Sequence, residues 1–483
     1  MQQLTGGFCI KSIVWKEIDN LSFDHLLNLV ELYFYLFWIL FLEFVVLKII
    51  TQKMKNSKTF YATILIVAVG LIIYFSLSAF NNSETNQIRK TQESIDSYNF
   101  ALGTQTVGSK YKFTDKTMLV ETATEIKKMG SNLLKFSMHP RYCSENYGLP
   151  KNDEITSLTR LATLEPSMKG VLDMDFKYYH IWIYGFSQYT PEPIGKKDDT
   201  AQIKFIDGYP KKYKEALYKE VYDFTAHLLK TYNGTGKVFY LGNWEGDWHL
   251  RSDYDRTKPA NLKTLEGMTQ WAKTRQKAID DAKRDVKYKN VEVYHYIEVN
   301  LVRKALKEPE AKVVANTVVN EVNPDYVSYS SYDATNPYKK EKTLNENLKK
   351  SLDYLESQLS PKTGLPEGKR VWIGEYGNPS IHHNDEMQNL RSIWTIKTAL
   401  EWGTPFILYW EMYNNEIKKE TGEQVGYWLI DDKGEKQPIW YTHHNFYKES
   451  KQFIKKYLKK NDELPSYDIF RKNAVNFKSL NVQ

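Results

Sequence analysis

In each of two short stretches of the sequence, an apolar run is followed by a carboxylate. "VFYLGNWEGDW", from Val238, places Glu245 and Asp247 beside two tryptophans, and "VWIGEYG", from Val371, places Glu375 next to glycine. Two carboxylates can divide the work of a general acid, which needs a raised pKa, and a nucleophile, which must be anionic. They can do so only if the fold brings the two stretches together.

The elements around these stretches predict a barrel. Eight apolar runs of strand type alternate with amphipathic helical stretches, and they begin at Phe100, Asn132, Tyr179, Val238, Val291, Tyr326, Val371 and Phe406. Their spacing of roughly thirty to sixty residues is typical of a (β/α)8 TIM barrel, an α/β fold. A doubly wound sheet would have a glycine-rich phosphate loop after its first strand, and "GTQTVGSKY" matches that loop poorly.

Helical stretches separate the predicted strands. The predicted helices are Thr114 or Asp115 to Gly130, Pro210 to Gly234, Leu265 to Arg284, Ala311 to Val322, Leu344 to Leu359, and Asp385 to Trp402. Capping residues or a closing glycine mark several of these ends. The pattern places the barrel at residues 98–462 and leaves 463–483 as a carboxyl-terminal tail.

In such a barrel the active site lies at the carboxyl ends of the strands. Strand four ends in Asn243, Glu245 and Asp247, which lie on one face of an extended chain. Strand seven ends in Glu375, where Gly374 and Gly377 are expected to leave room for a ligand. Two carboxylates at opposite strand ends suit glycoside hydrolysis, and retention of configuration requires a separation of about 5 to 5.5 Å.

These motifs resemble clan A of the retaining glycoside hydrolases, which are (β/α)8 enzymes with catalytic glutamates after strands four and seven. The resemblance spans roughly residues 99–450 and implies that Glu375, in "WIGEYG", is the nucleophile. It also implies that Tyr332, in "SYSSYDA", hydrogen-bonds the nucleophile, and that Trp410, in "FILYWEMY", lies under the reacting sugar. "GYWLIDDKGEKQPIWY" is similar to the return loop of the clan, with Gly434 at a turn and Pro438 before the last helix.

The resemblance assigns the acid/base role to the glutamate after strand four, but one residue departs from the pattern. The clan usually has an asparagine immediately before that glutamate, whereas here Trp244 separates Asn243 from Glu245. A bulge could restore the geometry, another residue could contact the sugar, or Asp247 could be the acid. Glu245 is the favoured acid/base, because aspartate has the shorter reach and Asp247 lies farther along the loop.

Aromatic side chains are frequent, with 35 Tyr and 12 Trp, and their rings suit stacking on sugars. The predicted substrate-binding residues are Asn243, Trp244, Asp247, Trp248, Tyr296, Tyr332 and Trp410. His295, Tyr296, Glu298 and Asn300 lie near a strand end, but the register that would turn each toward the barrel lumen is open. Arg141, in "MHPRYC" after strand two, orients a carboxylate, binds an anionic sugar or is simply solvated, and solvation is favoured.

Composition argues against several other classes of protein. The net charge of +7 comes from scattered lysines without an arginine-rich block, so no nucleic-acid partner is expected. The two cysteines, Cys9 and Cys143, are far apart and have no ligand partner at metal spacing. Neither a disulfide framework nor a metal site is predicted, and no cofactor is expected.

The amino-terminal region predicts membrane attachment. Residues 60–80 are uncharged and, at about twenty residues, long enough to cross a bilayer as a helix. Lysines before this span predict that its first end is cytoplasmic, so the barrel would lie outside the cytoplasm. A second apolar segment at 32–50 contains two charges and is a weaker candidate for a span. Residues 82–97 are polar and predict a stalk.

Met54 begins a stretch typical of a signal peptide or signal anchor, so residues 1–53 either precede the mature protein or carry the first span. An uncleaved anchor at 54–81 is favoured. The sequence thus predicts a membrane-anchored, extracytoplasmic glycosidase that cleaves an oligo- or polysaccharide by double displacement. The alternatives are a barrel that only binds glycans at the cell surface, and a transglycosylase that remodels envelope polysaccharide.

Overall fold

The computed structural model describes Gly70 and residues 91–144, 146–188, 209, 211–251 and 255–481. The predicted spans at 32–50 and 60–80 therefore lie outside the described residues, except for Gly70. In the part of the chain that is described, no helix is both long and apolar enough to cross a membrane.

Eight parallel strands form one sheet, and all eight predicted strands are confirmed. They are β1 Leu102–Thr104, β2 Leu133–Met138, β3 Tyr178–Ile183, β4 Val238–Gly242, β5 Glu292–Val299, β6 Tyr326–Ser330, β7 Val371–Tyr376 and β8 Ile407–Tyr409. Their order is β1-β8-β7-β6-β5-β4-β3-β2. A parallel bridge between Gln105 and Lys135 joins the ends of β1 and β2, and the Thr106 N–H donates to the Lys135 carbonyl at 3.0 Å. The sheet is thereby closed into a barrel.

Helices follow the strands along the chain. Among the described residues after β1, those of four residues or more are α1 Met118–Met129, α2 Leu158–Leu164, α3 Pro166–Asp173, α4 Lys211–Thr231, α5 Gly246–His249, α6 Leu262–Asp285, α7 Val302–Lys307, α8 Val318–Val322, α9 Tyr332–Thr335, α10 Glu341–Ser357, α11 Asp385–Trp402, α12 Pro438–Asn461 and α13 Tyr467–Ala474. Short 3-10 turns lie at Phe186–Gln188, Val314–Asn316, Ser380–His382 and Lys478–Leu480.

Helices α6 and α10 each begin three residues earlier than predicted, and two other predicted helices also differ from the observed ones. Helix α1 begins at Met118 rather than at Thr114 or Asp115, because the Glu121 carboxylate accepts the N–H groups of Phe113 and Thr114 at 2.7 Å each. These bonds hold the preceding residues in a loop. The helix predicted from Ala311 is reduced to the turn at Val314–Asn316 and the short helix α8.

Aromatic rings fill the interior of the barrel below the carboxyl ends of the strands. His180 stacks on Tyr240 with a centroid distance of 4.7 Å, and it meets Trp372 at 5.0 Å and Phe406 at 4.5 Å. All four side chains are buried. The barrel is therefore a packed core rather than a channel, and only the carboxyl-terminal mouth is left for a ligand.

Both ends of the predicted barrel domain extend further than expected. Residues 91–96 are helical, and Ile95 is buried in the same core as Phe470 of α13. The Tyr98 hydroxyl donates to the Pro465 carbonyl at 3.0 Å, and its ring meets Phe470 at 5.2 Å. The end of the predicted stalk and the predicted tail are therefore parts of the folded unit, because apolar residues in both segments bury against the barrel.

Candidate active site

A cavity of about 810 Å³ opens at the carboxyl ends of the strands. Glu245, after β4, and Glu375, at the end of β7, both line it. The aromatic side chains of its wall are Trp182, Tyr184, Trp244, Trp248, Tyr332, Trp410 and Tyr427. The fold thus brings together the two carboxylates that the sequence places 130 positions apart, in an aromatic-walled cavity.

Glu375 is buried and held by a tyrosine and a lysine. Its Oε2 accepts a hydrogen bond from the Tyr332 hydroxyl at 3.3 Å, which is the contact that the clan A resemblance implies. Its Oε1 lies 3.3 Å from Nζ of Lys135 on β2. Burial raises the pKa of Glu375 well above its usual range, Lys135 opposes this rise, and the charges of Glu298 and Glu245 add to it.

Glu245 is also buried and has two hydrogen-bond donors. The Ser330 hydroxyl donates to Oε1 and the Trp248 indole N–H donates to Oε2. Burial raises the pKa of Glu245 to about 7; the Ser330 hydrogen bond opposes the rise, and the nearby charge of Glu298 adds to it. A carboxyl group with such a pKa can hold a proton at neutral pH, as a general acid must.

Glu298 on β5 is connected to both Glu245 and Glu375 through hydrogen bonds and the ammonium of Lys135. Its Oε2 accepts from Lys135 Nζ at 2.8 Å and from the Ser328 hydroxyl at 2.7 Å. Its Oε1 accepts the backbone N–H of Glu245 at 3.2 Å. Lys135 also donates to the Gly374 carbonyl at 3.0 Å and lies 4.2 Å from the centroid of Trp182. Lys135 and Glu298 therefore form a buried ion pair that contacts both candidate catalytic residues.

The extra residue between Asn243 and Glu245 turns toward the cavity. The Trp244 N–H donates to the Tyr184 hydroxyl at 2.9 Å, and the Trp244 side chain lines the cavity. Glu245, which follows, precedes the short helix α5. Trp244 therefore adds an aromatic wall.

Three of the predicted substrate-binding residues do not line the cavity. Asn243 is fully buried, and its amide nitrogen donates to the Trp244 carbonyl at 3.1 Å. The Tyr296 ring occupies the space beside Gly242, where any Cβ would lie 2.2 Å from it. These two predictions require correction, because both side chains are buried within the protein and neither faces the cavity.

Asp247 is the third predicted substrate-binding residue that does not line the cavity, and its carboxylate binds backbone groups of the protein itself. It accepts the N–H groups of Asn300 and Leu301 at 3.2 Å each and that of Val314 at 3.0 Å. Arg251 Nη1 lies 3.8 Å from the same carboxylate. These contacts connect the loops after β4 and β5, so Asp247 stabilises the wall of the cavity.

The glycines of strand seven make room for protein atoms rather than for a ligand. A Cβ at Gly374 would lie 1.7 Å from the Ser328 hydroxyl and 2.8 Å from Glu298 Oε2. A Cβ at Gly377 would lie 2.8 Å from both the Trp410 carbonyl and the Tyr427 ring. The expectation that these glycines admit a ligand is corrected, because they instead permit Ser328, Glu298 and Tyr427 to approach β7.

The return loop has the turn and the helix start that the resemblance implies. Gly434 has φ +83, and Pro438 is the first residue of α12. Trp410 lines the cavity, and its ring lies 6.1 Å from that of Trp182.

Sequence reasoning missed several residues of the site. Lys135, Ser330 and Trp182 were not among the predicted site residues. The one signal was the charge of Lys135 inside the apolar run "NLLKFSM", since a lysine is rarely buried unless it is paired. Among the described residues, no group of three or more His, Cys, Asp and Glu is arranged to hold a metal ion.

Comparisons with known proteins find similar structures only. No protein-family model matches the sequence, and no curated protein matches it. A GH5_18 protein from Streptomyces cattleya in complex with Manb1-4GlcNAc has 10% identity and a TM-score of 0.49, over 79% of this chain and 89% of its own. A family 5 xyloglucanase from Paenibacillus pabuli has 12% identity and a TM-score of 0.42, over 80% of this chain and 100% of its own.

A family 39 glycoside hydrolase from Bacteroides cellulosilyticus also has 12% identity and a TM-score of 0.42, over 72% of this chain and 64% of its own. These proteins are glycoside hydrolases by name. Their TM-scores are below 0.5, so this similarity does not bear on the activity of the chain. The proposal for its activity rests on the geometry of the site.

Proposed function

We propose that the chain is a retaining glycoside hydrolase in which Glu375 is the nucleophile and Glu245 the acid/base. The observation that supports this most is the pairing of two buried carboxylates with different partners in one aromatic cavity. Burial raises the pKa of Glu245 to about 7, and its carboxyl group receives two neutral hydrogen-bond donors, whereas Glu375 lies against the ammonium of Lys135. Lys135 opposes the rise that burial causes in the pKa of Glu375, and we propose that the pair therefore keeps its proton on Glu245 and its charge on Glu375.

The proposed reaction proceeds by double displacement. Glu375 attacks the anomeric carbon while Glu245 protonates the glycosidic oxygen, so that the bond to the leaving group breaks and a glycosyl ester with Glu375 forms. Glu245, now anionic, then takes a proton from water as the water attacks the same carbon and releases Glu375. Two inversions at one carbon give net retention. Trp410 and Trp182 offer flat apolar surfaces on which a sugar can stack.

Trapping of the intermediate tests this proposal directly. A panel of activated 2-deoxy-2-fluoro glycosides should inactivate the protein with a stoichiometry of one label per chain, because the fluorine slows hydrolysis of the glycosyl ester. Peptide mapping should then place the label on Glu375. A label on another carboxylate would refute the assigned roles.

We also propose that the barrel lies outside the cytoplasm, on the basis of the uncharged segment at 60–80 and the lysines before it. Protease added to intact cells should then digest the barrel while a cytoplasmic marker survives. Protection of the barrel until the cells are lysed would contradict this orientation.

The pH dependence of the reaction should report the proton on Glu245. Because its pKa is raised to about 7, kcat/KM for a substrate with a poor leaving group should fall as the pH rises through about 7. A dinitrophenyl glycoside, whose leaving group needs no proton, should lose this alkaline limb. An alkaline limb shared equally by both substrates would argue against Glu245 as the acid.

Lys135→Met should raise the pKa of Glu375, because it removes the cation that opposes the effect of burial. We expect kcat/KM to fall by about 10²- to 10³-fold and its acidic limb to move to higher pH, since the nucleophile must be anionic. Lys135→Arg keeps the charge and should keep the limb near its original position. The measurement is the pH profile of kcat/KM.

The same change leaves Glu298 buried without its cation, which costs about 3 to 5 kcal/mol of stability. The thermal stability of the variant should therefore be measured together with its kinetics. The double variant Lys135→Met, Glu298→Gln removes both charges of the buried pair and should recover much of the stability. Because Glu298 raises the pKa of Glu375, its removal should also return the acidic limb part of the way toward lower pH. An acidic limb that stays at the wild-type position in Lys135→Met alone would show that Lys135 acts only on stability.

A further inference from the structure

A second cavity, of about 640 Å³, adjoins the candidate active site. Tyr332, Asp333 and Asn336 line both cavities, so the two share a wall. Since the Tyr332 hydroxyl also contacts Glu375, this second cavity begins beside the proposed nucleophile. We call it the cationic groove, after its four basic residues, Arg256, Arg303, Lys304 and Lys307.

The acidic residues of the groove do not balance these charges. Glu308 pairs with Lys304 at 3.0 Å. Asp333 is half-buried, and it accepts hydrogen bonds from the Tyr329 hydroxyl and from the Arg303 backbone N–H at 2.8 Å. Burial raises the pKa of Asp333 to about 6, so this carboxyl group is still mostly anionic at neutral pH and offsets part of the charge of Arg303. With four basic and two acidic lining residues, the groove keeps an excess of positive charge.

Two of the cations have no ion-pair partner among the described residues. Arg303 Nε is buried and donates no hydrogen bond within the described part of the chain. Lys307 is exposed at the end of α7, beside the lining residue Glu308, whose ion pair is with Lys304. A buried guanidinium nitrogen without an acceptor is costly, and an anionic ligand would remove that cost.

The catalytic cavity carries charges of both signs. Lys110, Arg141 and Arg256 line it, and Arg256 also lines the groove. Glu245 and Glu375 face it as well, so a further carboxylate on the reacting sugar would be repelled by the nucleophile. An acidic substituent is therefore better accommodated toward the groove than at the reacting sugar.

We infer that the cationic groove binds an anionic group of the glycan, a carboxylate, sulfate or phosphate, carried by a sugar that neighbours the one cleaved. The inference rests on the proposed function and assigns it a substrate class, an acidic polysaccharide. Arg303 and Lys307 are the specificity-determining residues, and the contiguous wall through Tyr332 sets the position of the acidic sugar relative to Glu375.

Binding to a matched polymer series tests the inference without turnover. The probes are dextran, carboxymethyl-dextran, dextran sulfate and phosphorylated dextran, and dissociation constants are measured at about 0.15 M salt and again at about 0.5 M. We expect at least one acidic derivative to bind about tenfold more tightly than dextran, with the preference shrinking at high salt. Which derivative binds best distinguishes the three anionic groups.

Matched variants separate the groove from the general positive charge of the protein. The double variant Arg303→Gln, Lys307→Gln should weaken acidic-polymer binding by about fivefold or more and leave dextran binding unchanged. Lys455→Gln, Lys456→Gln removes the same charge from two exposed positions on α12 and should change binding by less than about twofold. If the first variant unfolds, Lys307→Glu, at an exposed position, gives the same test.

Equal affinity for dextran and all three derivatives would overturn the inference, and so would equal losses in the two double variants. Glu375→Gln should bind the acidic polymers as the wild type does. The two proposals therefore fail separately: loss of the charge preference with intact hydrolysis refutes only the groove. Preserved preference without hydrolysis of any glycan refutes only the enzyme.

Discussion

Glu375→Ala is expected to reduce kcat by about 10⁴-fold or more, because no other described carboxylate stands in its place against Lys135 and Tyr332. The cavity left by the side chain should admit a small anion. Added azide should therefore restore part of the activity and yield a glycosyl azide of inverted configuration, since only one displacement occurs. The measurement is steady-state rate against azide concentration, with NMR of the product.

Glu375→Gln is the matched control for this experiment. It keeps the volume of the side chain and removes its charge, so it should be as inactive as Glu375→Ala but should not be rescued, because azide has no space. Wild-type activity in either variant would refute the nucleophile assignment. Comparable azide rescue of both variants would show that the anion acts somewhere other than the site of Glu375.

Glu245→Ala should lower kcat/KM by about 10²- to 10⁴-fold for substrates with poor leaving groups, the range expected for loss of a general acid. For a dinitrophenyl glycoside the first displacement should be nearly unaffected, so the intermediate should accumulate. Azide should then accelerate its breakdown and give a product of retained configuration. The opposite stereochemistry of the two azide products distinguishes Glu245 from Glu375.

Asp247→Asn is the control that decides between the two candidate acids. Its carboxylate accepts backbone N–H groups of Asn300, Leu301 and Val314, so the variant should have a lower melting temperature. Any change in its kcat/KM should be the same for substrates with good and with poor leaving groups. A loss confined to poor leaving groups in this variant would make Asp247 the acid.

Product analysis in the same assays separates hydrolysis from transglycosylation, and binding without cleavage in the wild type would favour a glycan receptor.

The architecture of the barrel follows from local sequence patterns. Eight apolar runs predict eight strands because a buried parallel strand needs apolar side chains on both faces. Gly130 and Gly403 both adopt positive φ where helices α1 and α11 end, as the sequence predicts, because only glycine does so without strain. Glu245 and Glu375 were found by the same reasoning, since strand ends become the mouth of a barrel.

The orientation of single side chains required the folded structure. Asn243 and Tyr296 were predicted at the site but are buried away from the cavity, because a shift of one residue in a strand turns a side chain to the other face. The pairing of β4 with β5 and of β5 with β6 sets the register of these strands. That pairing has no signature in the sequence.

What the sequence by itself determined is the barrel and the positions of its two catalytic candidates. What only the tertiary structure decided is which partners each carboxylate has. Lys135 and Glu298 are 163 positions apart, yet they form the buried pair that contacts both candidate residues. The cationic groove likewise joins residues after β4 with helix α7 and the end of β6. Such contacts arise from the closure of the barrel, because it brings distant strand ends to one mouth and excludes the water that would otherwise screen their charges.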